Sequence, residues 1–332
     1  MKVTVVEGDG IGKEVIPSAL KVLKAIETNL KINIEQVPVE LGYDKWEKIG
    51  VAITDLDLDI IKSCDCILFG AITTPPDPNY KSVLVKLRKE LDLYANIRPF
   101  KTYSSISQKY IDFIIVRENT EGMYSGIEEI KADVALSTRV ISRKGSERIA
   151  KYGCEIAKKR KNQITIVHKA NILKSCGFFR DICIDIAKNY NIEYKERLVD
   201  AMCYDLILHP DKYDVIVTTN LFGDILSDLS AALIGGLGLC PSANLGYKYA
   251  LFEPVHGSAP DIAGQGKANP IAAILSIKMM LEWAGETENA NIIERAVKNV
   301  LFKGIKTPDL GGNNTTKEVT DAISREIELQ LL

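Results

Sequence analysis

VTVVEGDGIGKEV, residues 3–15, opens with a run of β-branched residues, meets three alternating glycines, and resumes apolar residues at helical spacing from Ile11. β-Branched side chains favour extended backbone and glycine tolerates a tight turn, so the stretch predicts a strand, a turn and a helix. The same unit recurs. CILFG (66–70), DFIIVRE (112–118), ITIVHK (164–169) and DVIVTT (214–219) are short, mostly apolar runs that end at Gly or a polar residue, and helical spacing fills the segments between them. Strands that are apolar on both faces belong to a sheet covered by helices on both sides, which predicts an α/β protein.

The glycines fall at 8, 10 and 12, giving G-x-G-x-G where a dinucleotide-binding turn has G-x-G-x-x-G, and only by forcing does Glu35 or Glu40 supply the acidic residue that should follow the next strand. The turn therefore reads as a helix start and not as a standard Rossmann site. A richer nucleotide candidate is VHGSAPDIAGQGKANP, residues 255–270. It offers His256, small residues that let backbone N–H groups approach a phosphate, Asp261 for two ribose hydroxyls, and Asn269 before Pro270.

With 332 residues and 46% hydrophobic content the chain supports a large core, and at roughly 100 to 200 residues per domain two domains are expected. Composition breaks near ANIRPF, where Pro99 is read as ending a helical segment, and near LCPSANLG. A formal charge of −2 with interspersed signs gives no bulk attraction to nucleic acid or anionic lipid. No apolar run approaches the ~20 residues of a membrane span, so neither signal peptide nor anchor is expected and the cytoplasm is the expected location. The seven scattered cysteines, with only Cys64 and Cys66 close together, read as reduced core thiols.

NLFGDILSDL, residues 220–229, sets Asp224 and Asp228 one helical turn apart, and no Lys or Arg occurs between Tyr213 and Tyr247. Two carboxylates on one helix face repel, so a cation must come from elsewhere in the chain or from a bound ion. Arg88 and Arg98 in LRKELDLYANIRPF, and Arg117 in VRENTEGMY, stand at the ends of strands or helices and are suited to clamp a substrate with two or three carboxylates. Tyr124 and Lys169, in VRENTEGMY and VHKANIL, are candidates for proton transfer whose pKa values a nearby cation would pull downward.

Taken together, EGDGIGKEV, LDLYANIRP, VRENTEGMY, VHKAN, VDAM, NLFGDILSD, LFEPVHGSAPDIAG and TPDLGGNNTT resemble, in order and over essentially the whole chain, the β-decarboxylating dehydrogenase family of isocitrate, homoisocitrate, 3-isopropylmalate and tartrate dehydrogenases. The resemblance implies the isopropylmalate/isocitrate dehydrogenase-like two-domain α/β fold, with a large domain from residues 1–98 and 242–332 and a small one from 99–241. It implies a homodimer or dimer of dimers with shared active sites, in which the stretch from Ile127 to Ile141 is an exchanged arm. Asp224 and Asp228 would bind Mg²⁺ or Mn²⁺ together with Asp200 of the partner subunit, an all-oxygen set that suits a hard cation.

By the same resemblance, Lys169 from the partner takes the substrate hydroxyl proton, Tyr124 protonates the enol, Arg88, Arg98 and Arg117 hold the malate-like carboxylates, and Asn171 lies between substrate and nicotinamide. The cofactor would be NAD, touched by Ile11, Gly70, Ala71, Ile72, Asn171, Glu253, His256, Gly257, Ser258, Ala259, Pro260, Asp261, Asn269 and Asp309. Family members that use NADP carry Lys-Tyr where this chain has Asp261 and Ile262.

The substrate's variable substituent would face YKSVLVKLR, residues 80–88. Lys81 and Ser82 suit a distal carboxylate while Leu84 leaves an apolar wall along a longer arm, so homoisocitrate is the expected substrate, with 3-isopropylmalate and isocitrate as alternatives. Non-catalytic subunits of related oligomers usually depart at the Tyr, Lys or Asp positions, all of which are intact here.

Overall fold

The computed structural model describes residues 1–332 apart from 78, 104, 105 and 108. Its strands are β1 (Lys2–Gly8), β2 (Glu35–Pro38), β3 (Cys66–Ala71), β4 (Ala95–Lys101), β5 (Asp112–Glu118), β6 (Glu128–Ile130), β7 (Ala135–Ser137), β8 (Gln163–His168), β9 (Glu193–Leu198), β10 (Val215–Thr218), β11 (Pro241–Leu245) and β12 (Ala250–Pro254). Ten of them form one sheet in the order β2-β1-β3-β12-β11-β4-β5-β10-β8-β9. The wings, β2-β1-β3-β12 and β5-β10-β8-β9, are parallel. The centre, β12-β11-β4-β5, is antiparallel.

Alternation along β3 shows why its sequence is apolar throughout. Cys66 and Leu68 pack into one cluster, with the helices Gly12–Ile26 and Ile271–Trp283, and Ile67 and Phe69 pack into the other, with Asp55–Lys62 and Val83–Glu90. Side chains at period two point to opposite faces, so a strand covered on both faces has no polar position. The edge strand β9, EYKERL, is by contrast mostly exposed, and its charges discourage edge-to-edge pairing.

The opening stretch folds as read: β1 is followed at Gly12 by the helix Gly12–Ile26. Pro99 does not end a helix. The helix Val83–Glu90 stops earlier, and Pro99 lies inside β4 opposite Ile114, past Ile97, the last residue paired with β11. A residue without an N–H is tolerated where one neighbouring strand has already ended. The residues 98/99 and 241/242 fall in β4 and at the start of β11, which pair with each other through Asn244 and Asn96, so the two sides of the molecule share one sheet there.

β6 and β7 form a separate hairpin, and residues 126–138 are all exposed. All seven cysteines are free; six are buried and Cys203 is half-buried. No helix among the described residues is long and apolar enough to cross a membrane.

Candidate active site

Arg98 on β4, Arg117 near the end of β5 and Asp224 on the helix Asn220–Ile234, which follows β10, converge at one end of the sheet. The sequence makes room for this. A Cβ on Gly223 would lie 2.6 Å from Arg117 Cγ, so glycine is what lets the Arg117 side chain pass beneath the helix. Arg117 is anchored by Asn220, whose Oδ1 accepts from Nε at 3.1 Å and from Nη2 at 2.7 Å.

The cations missing from the helix itself come from these strands. Asp224 Oδ1 pairs with Arg117 Nη1 at 2.5 Å and Arg98 Nη1 at 3.3 Å, and Tyr124 donates its hydroxyl to Oδ2 at 2.6 Å. Burial pushes the Asp224 carboxyl up, but Arg117 and Arg98, then the Tyr124 hydrogen bond, outweigh it and hold it below the ordinary range. Asp228 has no hydrogen-bond or ion-pair partner among the described residues, and burial and then the Asp224 charge push its carboxyl up. The Arg117 guanidinium is driven down by burial, then by Arg98 and Arg88.

At Tyr124 the Arg117 cation pulls downward as expected but does not prevail. Its phenol is pushed up, first by burial and then by the hydrogen bond to Asp224, which together outweigh the Arg117 cation 5.4 Å from its ring centroid. A phenol that donates to a carboxylate is stabilised in its protonated form.

These groups line a cavity of about 190 Å³. Arg88, Arg98, Arg117, Tyr124, Asp224 and Leu84 are joined there by Gly70, Ala71, Ile72, Glu253, His256 and Gly257. Arg98 Nε and His256 Nε2 are buried without a partner among the described residues. Glu253 reaches Arg88 Nη2 at 3.2 Å, so its carboxylate sits on the arginine side of the cavity.

The glycine turn and the 255–270 loop hold each other. Ile11 N donates to Ser258 O at 2.8 Å, and a Cβ on Gly10, whose φ is +54°, would lie 2.1 Å from that oxygen. The buried Asp9 carboxylate accepts from the backbone N–H groups of Tyr43, Asp44 and Thr73. The glycines at 8, 10 and 12 thus serve close backbone packing, against Ala71 O of β3, Ser258 O of the loop and Glu7 O of β1 respectively. Further along the loop, Asn269 Nδ2 donates to Asp309 Oδ2 at 3.0 Å, while the exposed Asp261 side chain has no partner among the described residues.

Other candidates lie apart from this cavity. Lys169 pairs with Asp200 at 2.5 Å, an anion where a cation was expected, and Asn171 is exposed beside them. Among the described residues no group of three His, Cys, Asp or Glu side chains is placed to hold a metal within one chain. Ser82 caps the helix Val83–Glu90, its Oγ accepting from Val85 N at 3.4 Å, while its own O–H donates to no partner among the described residues. Leu84 lines the cavity; Ser82 and the exposed Lys81 do not. Sequence reasoning missed Asn220 and Asn244. Asn220 heads NLFGDILSDL, and its signal is a polar residue entering a helix directly after a buried strand.

Residues 2–323 match the family model described as isocitrate/isopropylmalate dehydrogenase. The chain is 49% identical to the homoisocitrate dehydrogenase of Methanocaldococcus jannaschii, over 100% of this chain and 99% of that protein. It is 46% identical to the 3-isopropylmalate dehydrogenase of Archaeoglobus fulgidus, over 97% and 98%. Among solved structures, isocitrate dehydrogenase from Methylococcus capsulatus superposes with a TM-score of 0.94 at 44% identity, covering 98% of this chain and 99% of that one.

Proposed function

The chain belongs to the isocitrate/isopropylmalate dehydrogenase family, and from that premise we propose that it is an NAD-linked, divalent-metal-dependent enzyme that oxidatively decarboxylates homoisocitrate to 2-oxoadipate. The observation that carries the reading is the cavity in which Arg88, Arg98 and Arg117 stand against Tyr124 and Asp224 with Leu84 as an apolar wall.

The arginines bind and orient the substrate carboxylates; three guanidinium groups in one cavity, with Arg98 Nε buried and without a partner among the described residues, favour a multiply charged anion. Asp224 and Asp228 form an all-oxygen donor pair whose mutual repulsion a hard cation would relieve, so Mg²⁺ or Mn²⁺ fits them, completed by Asp200 of a second copy. When bound, that ion supplies Lewis acidity to the substrate oxygen, and the nicotinamide supplies the hydride acceptor. The partnerless His256 Nε2 and the loop locked against Ile11 favour the cofactor on residues 255–270. Lys169 of a second copy takes the hydroxyl proton, and Tyr124, held protonated by its surroundings, delivers a proton after CO₂ leaves.

A second copy is further supported by the exposed hairpin, since an isolated two-stranded hairpin is marginal in water, and by the exposed Ile172, Tyr204, Ile207 and Ile225 near Lys169, Asp200 and Asp224. The division into residues 1–98 with 242–332 and 99–241 belongs to the same proposal.

Homoisocitrate is favoured over 3-isopropylmalate because the Ser82 O–H remains available to a distal carboxylate while Leu84 accommodates an extra methylene. A preference resting on one or two polar contacts is worth roughly 1 to 3 kcal/mol, about one or two decades, so side activity is expected. Assaying kcat/KM for homoisocitrate, isocitrate and 3-isopropylmalate side by side tests it. A clear lead for either alternative sinks the assignment, and Ser82→Ala is expected to hurt the tricarboxylic substrates selectively.

A further inference from the structure

Asn244 lies on β11, fully buried at the antiparallel centre of the sheet. Its Oδ1 accepts from Arg88 Nε at 3.1 Å, Asn96 Nδ2 at 2.9 Å and Asn119 Nδ2 at 2.8 Å, and its Nδ2 donates to Glu253 Oε1 at 2.7 Å. Chemistry fixes the orientation of this amide. A guanidinium N–H is only a donor and an ionised carboxylate only an acceptor, so the oxygen must face Arg88 and the nitrogen Glu253.

The three donors arrive from three segments. Arg88 is one of the cavity arginines, Asn96 stands two residues before Arg98 on β4, and Asn119 stands two residues after Arg117. One oxygen therefore joins every segment that contributes an arginine to the cavity. Glu253 completes the brace at Arg88 Nη2, while Arg88 Nη1 has no partner among the described residues and stays available.

Packing alone does not explain the cluster. Asn96 Oδ1 and Asn119 Oδ1 are both buried without a partner, so two acceptors are forgone in order that three donors converge on one. Orphaned buried acceptors are rare, so the convergence of three donors on one oxygen, with Asn96 Nδ2 also on Ser242 Oγ and Asn119 Nδ2 also on Leu93 O, calls for an explanation.

We infer that Asn244 is a positioning residue: it holds the Arg88 guanidinium and the registers of Arg98 and Arg117 so that the three present their free N–H groups to the substrate's carboxylates. This rests on the reading of those arginines as the carboxylate clamp.

The test is Asn244→Asp in the full-length protein with Mg²⁺ and NAD. Ionised, the new carboxylate still accepts from the three donors but loses the donor to Glu253 and meets it as a like charge. Protonated, it regains one O–H donor and keeps one acceptor oxygen, which restores the Asn pattern.

Substrate KM is expected to rise about tenfold near pH 9, with NAD KM and kcat little changed, and the excess over wild type to shrink as pH falls and the new carboxyl, pushed up by burial and the Glu253 charge against the pull of Arg88, takes up its proton. Asn244→Leu, which leaves the three donors unpaired, should raise it by about 10- to 100-fold at all pH values. In an Arg88→Ala background Asn244→Asp should add little.

If Asn244→Asp fails to fold, Asn244→Ser carries the same comparison of KM against kcat and the same pairing with Arg88→Ala. A folded variant with wild-type KM across the pH range overturns the inference, as does an Asn244 effect equally large without Arg88. An Arg88→Ala enzyme with unchanged substrate KM overturns the clamp reading, and the inference falls with it.

Discussion

The central strands carry two hollows, one on each face. Along β4, Arg98 lines the cavity of about 190 Å³, while its neighbours Ile97 and Pro99 line a trough of about 470 Å³ on the other side, walled by the helices Arg143–Lys158 and Ile271–Trp283. Every charge named on the trough is spent: Lys278 pairs with Glu282 at 2.9 Å and Glu294 at 3.2 Å, Arg160 with Asp112 and Asp214 at 2.7 Å each, and Lys101 with Glu294. The smaller hollow holds the unspent groups, Arg98 Nε and His256 Nε2, with the carboxyl of Asp228 close by. Size does not separate the two; unsatisfied polarity does, because a buried donor without a partner costs about 1 to 3 kcal/mol that a ligand or an ordered water recovers.

The contrast is broken most sharply at Asp224. Asp224→Asn removes the anion that Arg98, Arg117 and Tyr124 share and, by the proposed function, a metal ligand. Several kcal/mol of Lewis-acid stabilisation correspond to about 10³-fold in kcat, while the fold is retained. Steady-state turnover at saturating Mg²⁺, with circular dichroism as the fold control, measures it. Near-normal kcat in the variant, or full wild-type activity in excess EDTA, would show that the polarity of this cavity serves something other than metal-dependent chemistry.

A smaller effect is expected at Asp261, outside both hollows on the loop that packs against Ile11. Its exposed carboxylate suits two ribose hydroxyls and repels a 2′-phosphate, but exposure screens that repulsion. Asp261→Lys should therefore move the NAD/NADP ratio of kcat/KM about tenfold toward NADP, roughly 1.4 kcal/mol. An unmoved ratio would remove the cofactor from this part of the loop.

The strands and the glycine turn were more legible in the sequence than the groups that organise the cavity. Strand runs such as CILFG announce themselves because both faces are covered, and the G-x-G-x-G spacing argued against a classical Rossmann fold, as the structure bears out: those glycines meet Ala71 O of β3, Ser258 O of the 255–270 loop and Glu7 O of β1. Asn244 gave no signal. A lone Asn in PSANLG has no periodicity to betray it, and its donors lie 156, 148 and 125 residues away. The net direction at Tyr124 was hidden for a related reason: the motif carried its cation, Arg117, but burial and a carboxylate from a helix 100 residues later outweigh it. Ser82 showed its residue type but not its geometry, because the helix cap that fixes its oxygen on Val85 N, and leaves only its O–H for a ligand, depends on where the helix starts.

The smallest effect on activity is expected from the trough. Burial pushes the Glu294 carboxyl up, but Lys278 and Lys101 outweigh it and hold it low; burial pushes Lys278 down, but Glu282 and Glu294 outweigh it and hold it high. A depressed carboxyl contributes stability that is present above its unfolded value of about 4.3 and lost as pH falls through the lower folded value. A raised lysine contributes stability that is full below its unfolded value of about 10.4 and lost as pH rises through the higher folded one. Both contributions hold between about pH 5 and 10, and Glu294→Gln should cost roughly 1 to 2 kcal/mol there, less than breaking a fully buried pair because these side chains are about a fifth exposed. Denaturant unfolding of wild type and variant should show that gap at neutral pH and its narrowing once pH falls below about 4, with kcat and KM unchanged throughout. If Glu294→Gln instead leaves stability intact and alters KM, the two faces are coupled through β4, and satisfied charges on the larger hollow act on the smaller one.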